Sequence, residues 1–300
     1  MLANRVRKTH KKLFPRFERE GVGAFRLYDW DIPEIRAVVD WYEGHLMVGE
    51  YARRQTDELP DWLGSMGRAV VAALEVHESK VHLRRRRTRP KDGPRYERLG
   101  EGGERIIVRE SKLRFWVNLD DYLDTGLFPD HRRTRARVGA ESKGGRMLNL
   151  FGYTGSFTCY AAAGGALSTT TVDTSGPYLA WARENLTLNG ISGDAHRLIK
   201  GEVRAFLQHA RRKRETWTLA VVDPPSFSER PEGSFDVQRD HRELVESALE
   251  VVAPGGVVYF AANHQQFVPA LDGLGAEEIT RDTQPVDYRR LPHRVWRIPR

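Results

Sequence analysis

The stretch Met147-Leu148-Asn149-Leu150-Phe151-Gly152-Tyr153-Thr154-Gly155-Ser156 decides the fold. Its apolar run stops at a turn bracketed by glycines, and small residues from Phe157 to Ala163 then take up a helical pattern, so the stretch reads as strand, tight turn and helix. A second strand follows at once. Thr169-Thr170-Thr171-Val172 is β-branched and closes on Asp173. Beyond it Pro177 opens and Asn189-Gly190 closes an amphipathic helix carrying Tyr178, Leu179, Trp181, Ala182, Asn185 and Leu186. The unit is β-α-β-α with an acid at the tip of its second strand.

In a parallel α/β sheet, ligands bind beyond the carboxyl ends of the strands, so this turn and Asp173 outline a nucleoside pocket in which Asp173 accepts from ribose hydroxyls. A dinucleotide pyrophosphate needs the three-glycine G-x-G-x-x-G turn, whereas S-adenosylmethionine (SAM) has no phosphate to cradle. Here Gly152 and Gly155 flank the bulky Tyr153, which favours SAM. A purely structural turn with a surface aspartate is the alternative.

The βα rhythm continues. The run His196 to Glu202 reads as a third strand ending in another acid, placed for the adenine amine, and a helix runs from Val203 to Arg214. The next strand, Leu219 to Val222, ends in Asp223-Pro224-Pro225-Ser226-Phe227. Two prolines fix φ and remove donors, which leaves carbonyls pointing into the crevice. Phe227 is an aromatic that can stack on a planar base. A proline-stiffened strand exit is the plainer account of the same residues. Asp236 to Val252 is helical, Pro254-Gly255-Gly256 turns, Val257 to Ala262 is a fifth strand ending at Asn263-His264, and Arg294 to Ile298 alternates as a last strand.

Upstream the pattern differs. The first twenty residues interleave Val6, Leu13, Phe14 and Phe17 with many basic residues, which fits either a docked helix or a solvated arm. From Phe25 to Glu110 short strands are expected: a hairpin about Glu43-Gly44, a strand over Val81 to Arg86, and a pairing of Tyr96 to Leu99 with Arg105 to Val108; Asp61 to Leu74 reads as a helix. Arg84-Arg85-Arg86-Arg87, with Arg89 and Lys91, is a cationic cluster without interleaved acids, suited to RNA phosphates or simply solvated. A boundary is expected near Ser111 to Leu119, giving an N-terminal α+β module over 1–115 and an α/β domain over 116–300. Between them, Asp124 to Arg132 is turn-rich. It could fold over the pocket and bring an Arg and a His to the methionine carboxylate, or be a linker with Asp130 capping the next helix.

With 300 residues and 40% hydrophobic content the chain can bury a sizeable core. One cysteine excludes a disulfide framework and fits a reducing compartment. There is no apolar run of about 18 residues, and the charged N-terminus lacks an apolar signal core, so a cytoplasmic protein without membrane contact is expected. A net charge of +7 points to a polyanionic partner.

Several strings together resemble a known family: Leu148 to Ser156, Ser168 to Asp173, His196 to Ile199, Phe235 to His241, and Asp121 to Phe128 are similar to the RlmK half of the bifunctional 23S rRNA methyltransferases. The resemblance runs from about Asn4 to the C-terminus. It implies a Rossmann-like class I methyltransferase sheet behind a smaller N-terminal α+β module, SAM as cofactor, no metal, and N7-methylguanosine in 23S rRNA or a ribosome precursor as product. Carried over residue by residue, it assigns Phe151, Tyr153, Thr154 and Gly155 to the SAM turn, Asp173 to the ribose, Asp223 to the catalytic crevice and Arg132 to the methionine end. Asn149, Ser175, Glu202 and Asp223 are expected as further cofactor contacts, and Pro224, Pro225 and Phe227 as catalytic partners of Asp223. Glu202 stands where these relatives carry Asp.

The residues also bear on reaction type. Cytosine-C5 transfer needs a cysteine nucleophile, yet Cys159 sits inside the helix after the SAM turn, remote from the strand tips. Guanine N7 carries an accessible lone pair and needs only positioning. The competing readings are exocyclic-amine or small-molecule transfer on the same fold, and an RNA-binding protein that has lost catalysis.

Overall fold

The computed structural model describes all residues except 52–58, 60, 87–99, 101, 123, 229–232 and 265, together with the Arg86 side chain. It divides into two compact units, Met1–Asp130 with Val286–Arg290, and His131–Pro285 with Leu291–Arg300. The expected boundary at 115/116 therefore falls inside a strand of the first unit.

In the first unit α1 (Leu2–Glu20) buries Leu2, Val6, Leu13 and Phe17, which lie on one stripe at helical spacing. It is a docked helix. Its apolar stripe joins a core with Phe25, Leu27, Val39, Leu46 and Val48. Strands β1 (Ala24–Asp29), β2 (Ala37–Tyr42) and β3 (His45–Tyr51) form an antiparallel meander. Glu43 (φ 47°) and Gly44 (φ 90°) turn the expected hairpin, both left-handed as a two-residue hairpin turn requires. After α2 (Trp62–Leu74), β4 (Val81–Arg86) joins parallel to β3.

Strand β5 (Arg105–Glu110) pairs antiparallel with β6 (Leu113–Asn118). This corrects one reading. β6 occupies the stretch expected as a boundary, where Leu113, Phe115 and Val117 are buried in alternation and Ser111 (φ 60°) supplies the turn. Tyr96 to Leu99, the expected partner of β5, lies outside the described residues. The segment Val286–Arg290 returns to this unit: Asp287 accepts from the Arg26 backbone N–H at 2.8 Å, and the Tyr288 ring lies under the Arg26 guanidinium at 4.6 Å.

The second unit runs α3 (Arg132–Glu141), β7 (Arg146–Leu150), α4 (Ser156–Ala163), β8 (Ser168–Asp173), α5 (Gly176–Leu188), β9 (His196–Lys200), α6 (Val203–Lys213) and β10 (Trp217–Val222). A two-stranded ribbon, β11 (Phe227–Ser228) with β12 (Phe235–Asp236), precedes α7 (Val237–Glu250), β13 (Val252–Ala262), β14 (Glu277–Glu278), α8 (Thr280–Thr283) and β15 (Arg294–Pro299). The seven-stranded sheet has the order β14-β15-β13-β10-β7-β8-β9. Strands β9, β8, β7, β10 and β13 are parallel, and β15 enters antiparallel beside β13. The Pro254-Gly255-Gly256 turn is absorbed as an irregularity within β13, where Gly255 has φ 78°.

The central strands are buried on both faces, which is why β7, β10 and β13 read as continuous apolar runs. Strand order reverses between β7 and β10, so their carboxyl ends diverge into a crevice. Among the described residues no helix is long and apolar enough to cross a membrane.

Candidate active site

The turn after β7 is held in a costly shape. Phe151 (φ 57°) and Tyr153 (φ 48°) are both left-handed without being glycine, at about 1–2 kcal/mol each. Such strain persists only where the surroundings over-determine it. Here the Gly152 N–H donates to the Val172 carbonyl at 3.0 Å, the Gly155 N–H to the Gly152 carbonyl at 2.8 Å, and the Tyr153 N–H to Asp173 Oδ2 at 2.9 Å. Asn185, buried on α5, donates to the Thr154 carbonyl at 2.9 Å. Both glycines are sterically required: a Cβ on Gly152 would come within 2.2 Å of Thr171 Cγ2, and one on Gly155 within 2.8 Å of Ala182 Cβ.

Asp173 is thus both a fastener and a candidate ligand. Its Oδ1 accepts from the Ser175 N–H at 2.8 Å while Oδ2 takes Tyr153. A carboxylate can accept about four hydrogen bonds, so a side chain that fastens the turn can also meet a ligand hydroxyl. Ser175 is the N-cap of α5, its Oγ accepting from the Tyr178 N–H at 3.3 Å. Tyr153 packs edge-on against the Tyr178 ring at 4.6 Å, and Phe151 tilts against Phe235 at 6.0 Å.

Two expected ligands also make hydrogen bonds within the chain. The Asn149 side chain is buried within the sheet and donates to Thr158 Oγ1 at 2.9 Å, with Thr158 in turn 2.6 Å from Thr171 Oγ1. It braces β7, α4 and β8 from below the turn rather than facing the crevice. Glu202 caps α6, its Oε2 accepting from the Ala205 N–H at 2.7 Å.

At the tip of β10, Asp223 lies one strand from the turn and two strands from Asp173. Neighbouring strands lie about 4.8 Å apart, so the two acids span roughly 10 Å across the crevice. Pro224 is buried, Pro225 half-buried, and Phe227 is 38% exposed. The Ser226 hydroxyl donates to Asn263 Oδ1 and its carbonyl accepts from the Val237 N–H, which ties the proline turn to the β13 tip and to α7.

Residues at the start of α3 complete this end of the sheet. Arg132 is buried, and Arg132, Arg133 and Arg135 crowd a helix N-terminus with no acid in its first turn. Cations there oppose the helix dipole, an arrangement that an anionic group would relieve. Asp130 is not the cap: His131 takes that position without capping through its side chain. The imidazole instead stands 3.5 Å from Asp223 Oδ2 and stacks on His293. Neither histidine was singled out as a partner of Asp223 in the sequence, where only the Asp130-His131-Arg132 turn carried a signal.

Cys159 is fully buried on α4, and burial pushes its thiol up to about 12. It is no nucleophile at neutral pH.

The cationic cluster is partly reassigned. Arg84 is buried and donates to the Leu119 carbonyl, and Arg85 pairs with the buried Glu50 at 2.9 Å. Both hold the first unit together internally. Arg87, Arg89 and Lys91 lie outside the described residues.

A crevice at the switch point of a 3-2-1-4-5-7-6 sheet, acids at successive strand tips and a tight two-glycine turn define a nucleoside-dependent transferase of the Rossmann-like type. The chain belongs to the S-adenosylmethionine-dependent methyltransferase family, whose model matches residues 26–291. Along 99% of its length it is 41% identical to ribosomal RNA large subunit methyltransferase K of Neisseria meningitidis, covering 86% of that protein. Among solved structures it is similar to a chain assigned as a methyltransferase and crystallised with S-adenosylhomocysteine, with a TM-score of 0.78 at 21% identity over 99% of this chain and 81% of that one. The SAM-dependent methyltransferase of Agrobacterium tumefaciens superposes with a TM-score of 0.61 at 18% identity over 88% of each chain. At these identities the two structures speak for the fold. The cofactor is SAM, and the residues present fit it: the turn has Tyr153 between its two glycines in place of a three-glycine pyrophosphate cradle, and an acid, Asp173, stands at the tip of the second strand.

Proposed function

We propose that this chain methylates N7 of a guanine in large-subunit ribosomal RNA, free or within a ribosome precursor. The observation that carries the reaction type is Cys159, buried on α4 with its thiol pushed up to about 12, which leaves the chain without a nucleophile for C5 chemistry. The likeness to an enzyme named for large-subunit rRNA supports the substrate class.

Bound SAM supplies a sulfonium methyl as the electrophile. What the protein adds is position. Asp173 and the 151–155 turn hold the nucleoside half, and the cations at the start of α3, with Arg132 foremost, receive the methionine carboxylate. Phe227 stacks on a guanine taken out of its helix, while Asp223 and the carbonyls of Pro224 and Pro225 accept from its N1–H and N2 amine. The N7 lone pair needs no proton removed, so proximity and orientation suffice. RNA phosphates meet the exposed face of α1, where Lys8, Lys11 and Lys12 lie within about one turn of one another.

N7 methylation places a fixed positive charge on the imidazole ring. Borohydride and aniline treatment of rRNA incubated with protein and SAM should therefore cleave at one guanine, mapped by primer extension on RNA from cells lacking the enzyme. Methyl incorporation without cleavage would reject N7 in favour of an exocyclic amine.

A further inference from the structure

His131 stands where a helix N-cap is expected, and Ser, Thr, Asp or Asn ordinarily fills that place with a side chain that accepts from the first turn. This imidazole makes no such bond. Its Nε2 is 3.5 Å from Asp223 Oδ2. The ring is 5% exposed, stacked at 3.6 Å and 10° on His293, itself 5% exposed, with the Phe157 ring edge-on at 5.6 Å. Held on a face and an edge, the imidazole has one orientation. Asp223, by contrast, keeps 28% of its side chain exposed at the crevice.

We propose that His131 is a positioning residue for Asp223: Nε2 holds Oδ2, so that Oδ1 is aimed at the acceptor base. The proposal rests on the reading of Asp223 as the group that meets the guanine edge. His131 donates to Asp223 through Nε2–H, as the neutral tautomer or as imidazolium. His293 contributes a flat backing for the ring. A carboxylate fixed through one oxygen presents the other along a defined direction, and an error of about 1 Å in such a contact costs on the order of 100-fold in rate.

The test compares His131→Leu and His131→Gln in single-turnover methyl transfer to rRNA, with SAM affinity measured by calorimetry. His131→Leu should slow transfer about 100-fold and leave the SAM Kd within about twofold. Glutamine, whose amide nitrogen reaches the place of Nε2, should recover the rate to within about fivefold. In an Asp223→Asn background the leucine change should add nothing, since both act through one contact. Should the leucine variant not fold, His131→Asn takes its place, because its amide stops short of Nε2. Equal losses for the glutamine and leucine (or asparagine) variants, multiplying effects with Asp223→Asn, or a fall in SAM affinity that tracks the rate would overturn the proposal. A second readout is independent of substrate: the His131 Cε1–H titration, followed by NMR, should move down by about one unit in Asp223→Asn. An unmoved titration refutes the pairing whether or not rRNA is the acceptor, so an error in the substrate reading and an error here remain distinct.

Discussion

On the proposed reading, Asp173 serves fold and ligand together. Because its two oxygens fasten backbone N–H groups of the turn and of Ser175, Asp173→Ala should remove the proposed ribose acceptor and loosen the turn at once. SAM affinity should fall by about 2–3 kcal/mol in calorimetry; unchanged affinity would displace the ribose from this acid. Cys159 is the opposite case. With its thiol pushed up to about 12, the thiolate fraction is negligible at neutral pH and rises only in strong alkali. Native protein should resist iodoacetamide at pH 8, and Cys159→Ala should keep methyl transfer at a stability cost of about 1 kcal/mol. Loss of transfer in a folded, SAM-binding variant would restore a C5 mechanism. The acid after the third strand is legible in the sequence, but not that Glu202 Oε2 also caps α6.

At the level of elements, two basic segments are expected to behave differently. The run on β4 reads as a phosphate-binding cluster, yet the register of β3 with β4 sets Glu50 opposite Arg85, and Arg84 reaches the Leu119 carbonyl. Arg84→Met should cost about 1–3 kcal/mol, because it leaves a buried carbonyl without its donor. Chemical denaturation reads that cost, and the salt slope of RNA binding should stay put. On α1 the expectation reverses. Its apolar stripe is buried, whereas Lys8, Lys11 and Lys12 are exposed along the other side. Replacing the three with Gln should reduce the slope of log K against log salt by about 2 with SAM binding intact. An unchanged slope would make this face a solvated one.

Across the whole molecule, each unit has a core of its own, one around Phe25, Val39 and Leu46, the other around Leu148, Val222 and Phe260. SAM at 100 times its Kd should therefore stabilise amides of β7, β8 and β10 against hydrogen exchange by about 2.7 kcal/mol and leave those of β1 to β3 unchanged. Equal protection in both units would show that the ligand couples them. Residues 147–190 and the later strands were readable as a parallel α/β sheet because buried parallel strands are continuous apolar runs and their turns need glycine or an acid locally. The SAM turn, Asp173 and the Asp-Pro-Pro tip followed from that local chemistry. β6 reads as a boundary although Leu113, Phe115 and Val117 alternate, because its ladder to β5 is a pairing that local composition does not display. What only the tertiary structure decided is which polar groups meet. The bond of Arg84 to Leu119 and the contact of His131 with Asp223 join residues far apart in the chain, and such pairings are selected by strand register and packing, which leave no mark on the local pattern of the sequence.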